Sequence, residues 1–334
     1  MRFHAAAQTR LAVRVVSAAI VAAVLVAAVP VARAQAWPAK PIRLIAPYPP
    51  GGQTDIVARY LAEKLRPVLG QTIIVDNRAG AQGIVGTEAA AKSPPDGYTF
   101  VYTNVSVVSI NPGLYPKLPY DPLKDFAPVT QLGLTTLCLV VHPSLPVRSV
   151  KDLVALAKRQ PGKLSFASFG TGSSSHLYGE LLKSIAKVDM THVPYKGSGP
   201  AMQDVMGGHV PMFIGDLAVT GPQIEGKRVV AIAVTGTKRW PLLPDVPTFP
   251  ETGYALDITG WNGILAPAAT PKEIVERMSA EIVKIVRAPE GRDKMLVLGL
   301  DPTGTTPEEF RSVIVRDAPR WLKIIRDSGA TAGS

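Results

Sequence analysis

The sequence predicts an α/β protein of two lobes, each a mixed, mostly parallel sheet flanked by helices. A repeated unit carries this prediction: a short β-rich run, a loop rich in Gly, Ser, Thr and Pro, then an amphipathic helix. Two long β-rich passages interrupt the repeat, and a chain of this length, with 46% apolar residues, can bury more than one core. Strands are predicted near Ile42 to Tyr48, Thr72 to Asn77, Thr99 to Thr103, Leu164 to Ser168, Thr191 to Tyr195, Met212 to Gly215 and Val229 to Val234.

The two interruptions, Phe126 to Val141 and Asp257 to Leu265, predict that the chain crosses twice between lobes. The first lobe is then discontinuous, comprising 37–135 and 258–334, and the second, 136–257, is inserted into it. Two lobes joined by paired extended segments enclose a cleft that opens and closes by hinge motion.

Three helix starts are marked by capping signals. Ser149 opens one helix, and Thr270 and Thr306 each precede a proline and have Glu three residues later, as in a capping box. These signals are structural and carry no functional interpretation.

The first 34 residues predict a cleavable secretory signal. Three arginines precede the apolar run Val15 to Val29, which Pro30 ends, and small residues at 32–36 supply a cleavage site. The alternative is an uncleaved membrane anchor, although a run of this length is short against the ~20 residues that span a bilayer.

Composition excludes several classes of function. The leader contains four of the 36 basic residues and none of the 26 acidic ones, which leaves a net charge of +6. The cations are scattered, which argues against a nucleic-acid partner and is compatible with small anions. Cys138 is the only cysteine, so disulfides and cysteine metal clusters are excluded, and its apolar surroundings predict a buried thiol.

Four loops at the predicted carboxyl ends of strands are candidates for ligand binding, because ligands of parallel α/β sheets lie at that edge. In the first, Tyr48-Pro-Pro-Gly-Gly-Gln-Thr-Asp55, two prolines remove backbone donors and Gly51 and Gly52 then expose bare backbone before a helix. Such a helix start favours an anion. Thr54 and Asp55 are alternatively simple helix caps.

The second loop, Phe169 to His176, places Thr171 and three serines beside Gly170 and Gly172, and these neutral donors suit a carboxylate that must be released. A solvated helix-entry turn is the alternative. His176 is the histidine worth testing, because it lies at the helix start in this serine-rich loop.

The third loop, Val193 to Pro200, frees the backbone at two glycines and places Pro200 as the first helical residue. Lys196 either adds positive charge to the site or points to water. In the fourth loop, Phe213 to Leu217, Asp216 either accepts from a ligand amine or hydroxyl, or caps the helix near Thr220.

The enzyme hypotheses lack their motifs. No Gly-x-Ser-x-Gly elbow occurs, and the Gly-x-x-x-x-Gly-Lys run at 221–227 is followed by Arg228 where a P-loop needs Ser or Thr. Gly170-x-Gly172 lacks the third glycine of a dinucleotide fingerprint. The histidines after the leader show no spacing typical of a metal site. A secreted serine hydrolase using Ser174 and His176 remains as the enzymatic alternative.

Seven short motifs span essentially the whole chain after the leader: Trp37-Pro-Ala-Lys-Pro-Ile-Arg-Leu-Ile45, the Pro-Pro-Gly-Gly loop, Val75-Asp-Asn-Arg-Ala-Gly80, Ser93-Pro-Pro-Asp-Gly-Tyr-Thr99, Gly170-Thr-Gly-Ser173, Val193-Pro-Tyr-Lys-Gly197 and Trp261-Asn-Gly-Ile-Leu-Ala-Pro267. Together they resemble the Bug/TctC family, periplasmic substrate-binding proteins of tripartite tricarboxylate transporters. The resemblance implies a two-lobed periplasmic-binding-protein (Venus-flytrap) fold in the periplasm. It also implies a monomer that delivers a small carboxylate to a permease of one large and one small subunit, with no catalytic residues, metal or cofactor.

The resemblance further implies that backbone amides, hydroxyls and bridging waters hold the carboxylate. By motif match, the implied ligand-binding residues are Tyr48, Gly51, Gly52, Thr54, Asp55, Gly170, Thr171, Gly172, Ser173, Ser174, His176, Tyr195, Lys196, Gly197, Pro200 and Asp216, with Asn104 and Ser106 added after the strand Thr99 to Thr103. An aliphatic di- or tricarboxylate, an amino acid and a small aromatic acid all remain open as ligands. A ligand-loaded sensor or scavenger is the alternative to transport.

Overall fold

A computed structural model describes residues 37–331, and the predicted leader at 1–34 lies outside the described residues. Within them the chain forms eleven strands: β1 (Ile42–Ala46), β2 (Ile73–Asn77), β3 (Thr99–Asn104), β4 (Phe126–Thr135), β5 (Leu137–Val141), β6 (Ser165–Ser168), β7 (Thr191–Pro194), β8 (Met212–Asp216), β9 (Val230–Val234), β10 (Gly260–Pro267) and β11 (Leu300–Pro302). All seven predicted strands and both β-rich passages are confirmed, whereas the three-residue β11 was not predicted.

Ten α-helices occur in the same residues: α1 (Gln53–Leu69), α2 (Ile84–Ala91), α3 (Asn111–Leu114), α4 (Val150–Arg159), α5 (Ser174–Ala186), α6 (Ser198–Met206), α7 (Leu217–Glu225), α8 (Lys272–Arg287), α9 (Pro289–Val297) and α10 (Pro307–Ser328). The apolar spacing explains how they pack: in α4, for example, Val150, Leu153, Val154 and Ala157 fall on one buried face. No helix of the described part combines the length and the hydropathy that crossing a bilayer requires.

The strands form two mixed sheets, one in each lobe, with the orders β11-β4-β10-β3-β1-β2 and β7-β6-β8-β5-β9. The mixed two-lobed architecture is therefore confirmed. Pairing is parallel for β1 with β2 and β3, and for β6 with β7 and β8. All other pairs between these strands are antiparallel, since β4, β5 and β10 run against their neighbours, so parallel pairing is less dominant than predicted.

Two paired strands connect the sheets. β4 leads through Thr136 directly into β5, and β10 begins at Gly260, whose partner in the antiparallel ladder is Thr135. The outgoing and returning segments thus lie side by side at the junction of the two sheets. Away from this junction, Tyr178 on α5 meets Trp321 on α10 edge to face, with ring centroids 6.0 Å apart.

The helix caps show which local predictions hold. Thr306 accepts from the amide of Glu309, whose carboxylate accepts from the amide of Thr306, so the predicted capping box is present. Ser149 caps α4 as predicted. The prediction at Thr270 is wrong: α8 begins at Lys272 after Pro271, and the buried hydroxyl of Thr270 has no partner among the described residues. The third loop also differs, because Ser198 begins α6 and Pro200 is its third residue.

We expect Thr306→Ala to lower the free energy of unfolding by about 1 kcal/mol, because the helix loses an acceptor for an otherwise unpaired amide. Thr270→Ala should cost no such capping energy. Denaturant unfolding measures both variants, with Thr306→Ser as the control that keeps the hydroxyl. Equal destabilisation by the two alanine variants would contradict this assignment of caps.

Candidate functional site

A cavity lies between the two sheets, where several strands of both lobes end. Its volume, taken as the space open to the centre of a water molecule, is about 70 Å³. We call this space the inner chamber; it is lined by Tyr48, Pro49, Pro50, Gly52, Gln53, Thr54, Asn104, Val105, Thr135, Leu137, Phe169, Ser174, Lys196, Gly197, Ser198, Gly199, Pro200, Asp216, Gly260, Trp261 and Asn262. Its wall therefore combines loops at strand ends with the two connecting strands.

The first loop turns sharply before α1. Gly51 has φ +85°, a conformation that favours glycine, and its amide donates to the Asp55 carboxylate at 3.0 Å. Burial raises the pKa of Asp55, but hydrogen bonds from Arg59 and from the Gly51 amide outweigh it, and the net pKa is below its usual value. Asp55 thus holds the loop in place and is not part of the chamber wall.

Helices α1 and α6 both begin at this chamber with a glycine at the N-cap. Neither Gly52 nor Gly197 has a side chain to accept from the first helical amides, whereas Ser149, Ser173 and Thr306 cap α4, α5 and α10. The positive ends of two helix dipoles from different lobes are therefore presented to one space, an arrangement suited to an anion.

Asp216 is the acidic residue of the chamber wall and is buried. The Ser198 hydroxyl donates to Oδ2 of Asp216, while Oδ1 has no hydrogen-bond partner among the described residues. Burial raises the pKa of this carboxyl, against the opposing effect of the Ser198 hydrogen bond. Oδ1 is therefore a buried acceptor that the described residues leave unpaired. The carboxylate does not cap α7; instead the Thr220 hydroxyl donates to the Asp216 carbonyl at 3.1 Å.

Neutral donors and acceptors complete the polar wall. The Tyr48 hydroxyl lies 3.4 Å from Oδ1 of Asn104, and burial raises the pKa of Tyr48 to about 12, so the phenol stays protonated. Asn262 donates to Gln53 at 2.9 Å and to Thr135 at 2.7 Å. Gln53, Thr135 and Asn262 were not predicted to bind ligand. The first loop includes Gln53, and the motif from Trp261 to Pro267 includes Asn262.

The second loop occupies a different position from the one its composition suggests. Of its predicted residues, Ser174 lines the chamber, whereas Gly170, Thr171, Gly172, Ser173 and His176 do not. Gly170 has φ +137°, and a Cβ there would stand 1.7 Å from Nε2 of Gln82 in the first lobe. The glycine thus permits close packing between the two lobes.

His176 is buried beneath this loop. Its Nδ1 accepts from the Gly172 amide at 3.1 Å, so the ring proton lies on Nε2, which has no hydrogen-bond partner among residues 37–331. The ring stacks on His192 with centroids 3.9 Å apart. Burial, with smaller effects of His192 and Lys183, lowers the pKa of His176 to about 3. A histidine with neither nitrogen bonded to Ser174 gives no support to the hydrolase alternative.

The predicted binding residues therefore fall into two groups. Those in the chamber wall are Tyr48, Gly52, Thr54, Asn104, Ser174, Lys196, Gly197, Pro200 and Asp216. Those outside it are Gly51, Asp55, Ser106, Gly170, Thr171, Gly172, Ser173, His176 and Tyr195. Lys196 is exposed at the rim.

The unpredicted part of the wall is largely apolar and comes from residues distant in sequence, including Val105, Leu137, Phe169 and Trp261. In the described part of the chain, no group of three or more His, Cys, Asp or Glu side chains is arranged to hold a metal ion.

Comparison with known proteins gives consistent matches. The family model TctC, described as the tripartite tricarboxylate transporter family receptor, matches residues 57–330. Protein BugT of Bordetella pertussis is 36% identical over 299 residues, which are 89% of this chain and 92% of BugT. The structure of R. palustris Rpa4515 with adipate has a TM-score of 0.86 at 34% identity, covering 88% of this chain and 99% of that one. MatC (Rpa3494) from Rhodopseudomonas palustris with bound malate has a TM-score of 0.81 at 29% identity, covering 86% and 100%.

His176 should make the protein less stable in acid. Its pKa is lower in the folded state than the usual 6.5, so between pH 6.5 and about 3 the unfolded state binds a proton that the folded state does not. As the pH decreases through that window, we expect the contribution of His176 to the free energy of unfolding to fall by about 1.4 kcal/mol per pH unit. His176→Gln should flatten the measured dependence, and the exposed His209→Gln should not. Identical pH dependence in all three proteins would contradict the assignment.

Proposed function

The chain belongs to the TctC family, the tripartite tricarboxylate transporter family receptors, and from that premise we propose that it captures a small carboxylate in the periplasm and delivers it to a tripartite membrane permease. The permease would have one large and one small subunit, and the receptor would act as a monomer. The convergence of α1 and α6 on the inner chamber, each beginning at an uncapped glycine, is the observation that carries the proposal.

The carboxylate would lie between these two helix starts. Unpaired amides and the helix dipoles stabilise an anion there, and the glycines leave room for it to approach the backbone. A Cβ at Gly52 would have no atom within 4 Å. Because the donors are mainly neutral, the bound ligand would also be released readily to a permease.

A small dicarboxylate is the ligand class we favour. The solved relatives at 34% and 29% identity contain adipate and malate, both dicarboxylates. The free Oδ1 of Asp216 adds a preference for a ligand that brings a donor, such as a hydroxyl, an ammonium or a protonated carboxyl group.

We also propose that the lobes divide as 37–135 with 258–334, and 136–257, and that they close on the ligand as two bodies. The first sheet draws its strands from 42–135 and 260–302, and the second from 137–234, which supports this division. A ligand-loaded sensor or scavenger would use the same site. Uptake of labelled ligand by a deletion strain, with and without the restored gene, separates transport from those roles.

Thermal unfolding of the purified chain against mono-, di- and tricarboxylates, aromatic acids and acidic amino acids tests the ligand class. A ligand at ~100 times its dissociation constant should add about 2.7 kcal/mol and raise the unfolding midpoint by several degrees. We expect dicarboxylates to give the largest rise. If no acid raises the midpoint of protein first freed of ligand by unfolding and refolding, the carboxylate assignment is wrong.

Gly52→Val tests the position of the site. Gly52 lines the chamber and a Cβ there would have no atom within 4 Å, so we expect a folded variant that no longer responds to the ligand. Gly221→Val is a matched control, because a Cβ at Gly221 also has no atom within 4 Å and Gly221 does not line the chamber. Unchanged affinity in Gly52→Val would rule out this placement.

A further inference from the structure

A hollow on the first lobe shares no lining residue with the inner chamber. It is bounded by the segment 108–125 on one side and by Ile314 and Ala318 of α10 on the other. Its volume, taken in the same way, is about 660 Å³, against about 70 Å³ for the inner chamber. We call it the proline hollow after four of its lining residues: Pro112, Pro116, Pro119 and Pro122. The space is large enough for side chains of another protein to enter.

The wall of the proline hollow is apolar and stiff. Apart from Asp121 and Asp125, its lining residues are aliphatic, aromatic or proline. Both carboxylates are used inside the segment: Oδ1 of Asp121 accepts from the Leu123 amide at 2.9 Å, and Oδ2 of Asp125 accepts from the Asp121 amide at 2.7 Å. The Tyr120 hydroxyl donates to the Val107 carbonyl at 2.8 Å. Because these bonds and the prolines fix the segment, little conformational entropy is lost when a partner binds.

An exposed apolar stripe on α10 lies beside the hollow. Val315, Pro319 and Leu322 are exposed and follow one another after four and three residues, so they share one helix face. Leu322 packs on the backbone of the proline-rich segment, since a Cβ at Gly113 would stand 2.5 Å from its Cδ2. Val315 nevertheless stays 54% exposed and Leu322 37%. An apolar hollow continued by exposed apolar side chains indicates a docking surface.

A basic residue stands at each end of this stripe. Arg311 precedes Val315 by four residues and Arg326 follows Leu322 by four, which places both on the same helix face, about 22 Å apart at 1.5 Å per residue. Neither arginine forms an ion pair within residues 37–331. The other three basic residues of α10 pair with carboxylates of that helix: Arg316, Arg320 and Lys323. The charge of the stripe therefore suits a partner with acidic side chains.

The same surface touches the second lobe. A Cβ at Gly172 would stand 2.9 Å from Cδ1 of Leu114 and 3.8 Å from the hydroxyl of Tyr115, which lines the hollow. On the other side of the hollow, Trp321 of α10 meets Tyr178 of the second lobe. A partner on this surface therefore lies beside contacts that a movement between the lobes would change.

We infer that the proline hollow and the stripe from Arg311 to Arg326 form the surface on which the permease receives the loaded receptor. A permease segment places an apolar side chain in the hollow and carboxylates beside the two arginines. Because the apolar surface is largely the wall of a hollow, it suits a partner side chain better than a flat bilayer surface. This inference rests on the proposed function and names the surface that its partner contacts.

Photocrosslinking in cells of the native host identifies the partner. p-Benzoylphenylalanine replaces Leu322 in the full chain, and the same replacement at Leu242, which is 53% exposed and outside the hollow, is the matched control. We expect position 322, but not position 242, to give an adduct in which mass spectrometry finds a permease subunit. Absence of that adduct, or an adduct only with a second copy of the receptor, would overturn the inference.

Acidic substitutions on the stripe separate docking from ligand capture. Purified Val315→Glu and the double variant Arg311→Glu/Arg326→Glu are added to spheroplasts of the deletion strain. Uptake is followed with the radiolabelled acid that most raises the unfolding midpoint. We expect both variants to raise the receptor concentration for half-maximal uptake at least tenfold. Their dissociation constants for that acid, measured by isothermal titration, should change less than twofold, because the stripe lies outside the inner chamber.

Matched controls carry the same changes elsewhere on the surface. Val68→Glu and the double variant Arg159→Glu/Arg292→Glu alter exposed residues outside the hollow. They should leave the half-maximal receptor concentration within twofold of that of the unaltered chain. Equal effects of the stripe variants and these controls would rule out a specific docking surface.

The outcomes separate the two proposals. If the unaltered chain supports no uptake of any acid that it binds, the transport function fails and this inference fails with it. If the unaltered chain supports uptake and the stripe variants do so at the same receptor concentration, the function stands and the docking surface is wrong. Binding to equimolar phosphatidylethanolamine and phosphatidylglycerol vesicles, or a dimer in sedimentation, that the stripe variants lose would assign the surface to lipid or to a second copy instead.

Discussion

The antiparallel pairing of β4 with β10 is the constraint on which the site depends. Thr135 and Gly260 are partners at the point where the chain leaves the first sheet and returns to it. Because both connections are tied together, the two sheets are held with their strand ends around one space. Asn262 connects this strand pairing to the chamber wall, because its side chain donates to Thr135 and to Gln53 at the start of α1.

The close approach of the two lobes explains why glycines occur in the second loop, where the composition by itself suggests ligand binding. Gly170 accommodates Gln82, and a Cβ at Gly172 would stand 2.9 Å from Leu114. Serines of the same loop also have local partners: the Ser173 hydroxyl donates to the Gly170 carbonyl at 2.6 Å. A Gly/Ser-rich loop after a strand thus shapes the contact between lobes while contributing Ser174 to the chamber.

Few charged side chains line the inner chamber, and its polar side chains are held by hydrogen bonds. Tyr48 remains a protonated donor and Asp216 has a raised pKa, both because burial disfavours the charged form. With two helix starts as the main source of positive potential, the proposed site would hold an anion without a buried arginine in the wall. Lys196 adds charge at the rim, where water screens it.

Local sequence determined the strands other than the short β11, most helices and the caps at Ser149 and Thr306, because apolar periodicity and capping depend on residues within a few positions. It also identified the loops at strand ends. Tertiary structure decided which of their residues face the ligand space: His176 is buried under its loop, whereas Gln53 and Trp261 are in the wall. The physical reason is that a cavity is formed by segments far apart in sequence, and the register of β4 with β10 brings them together.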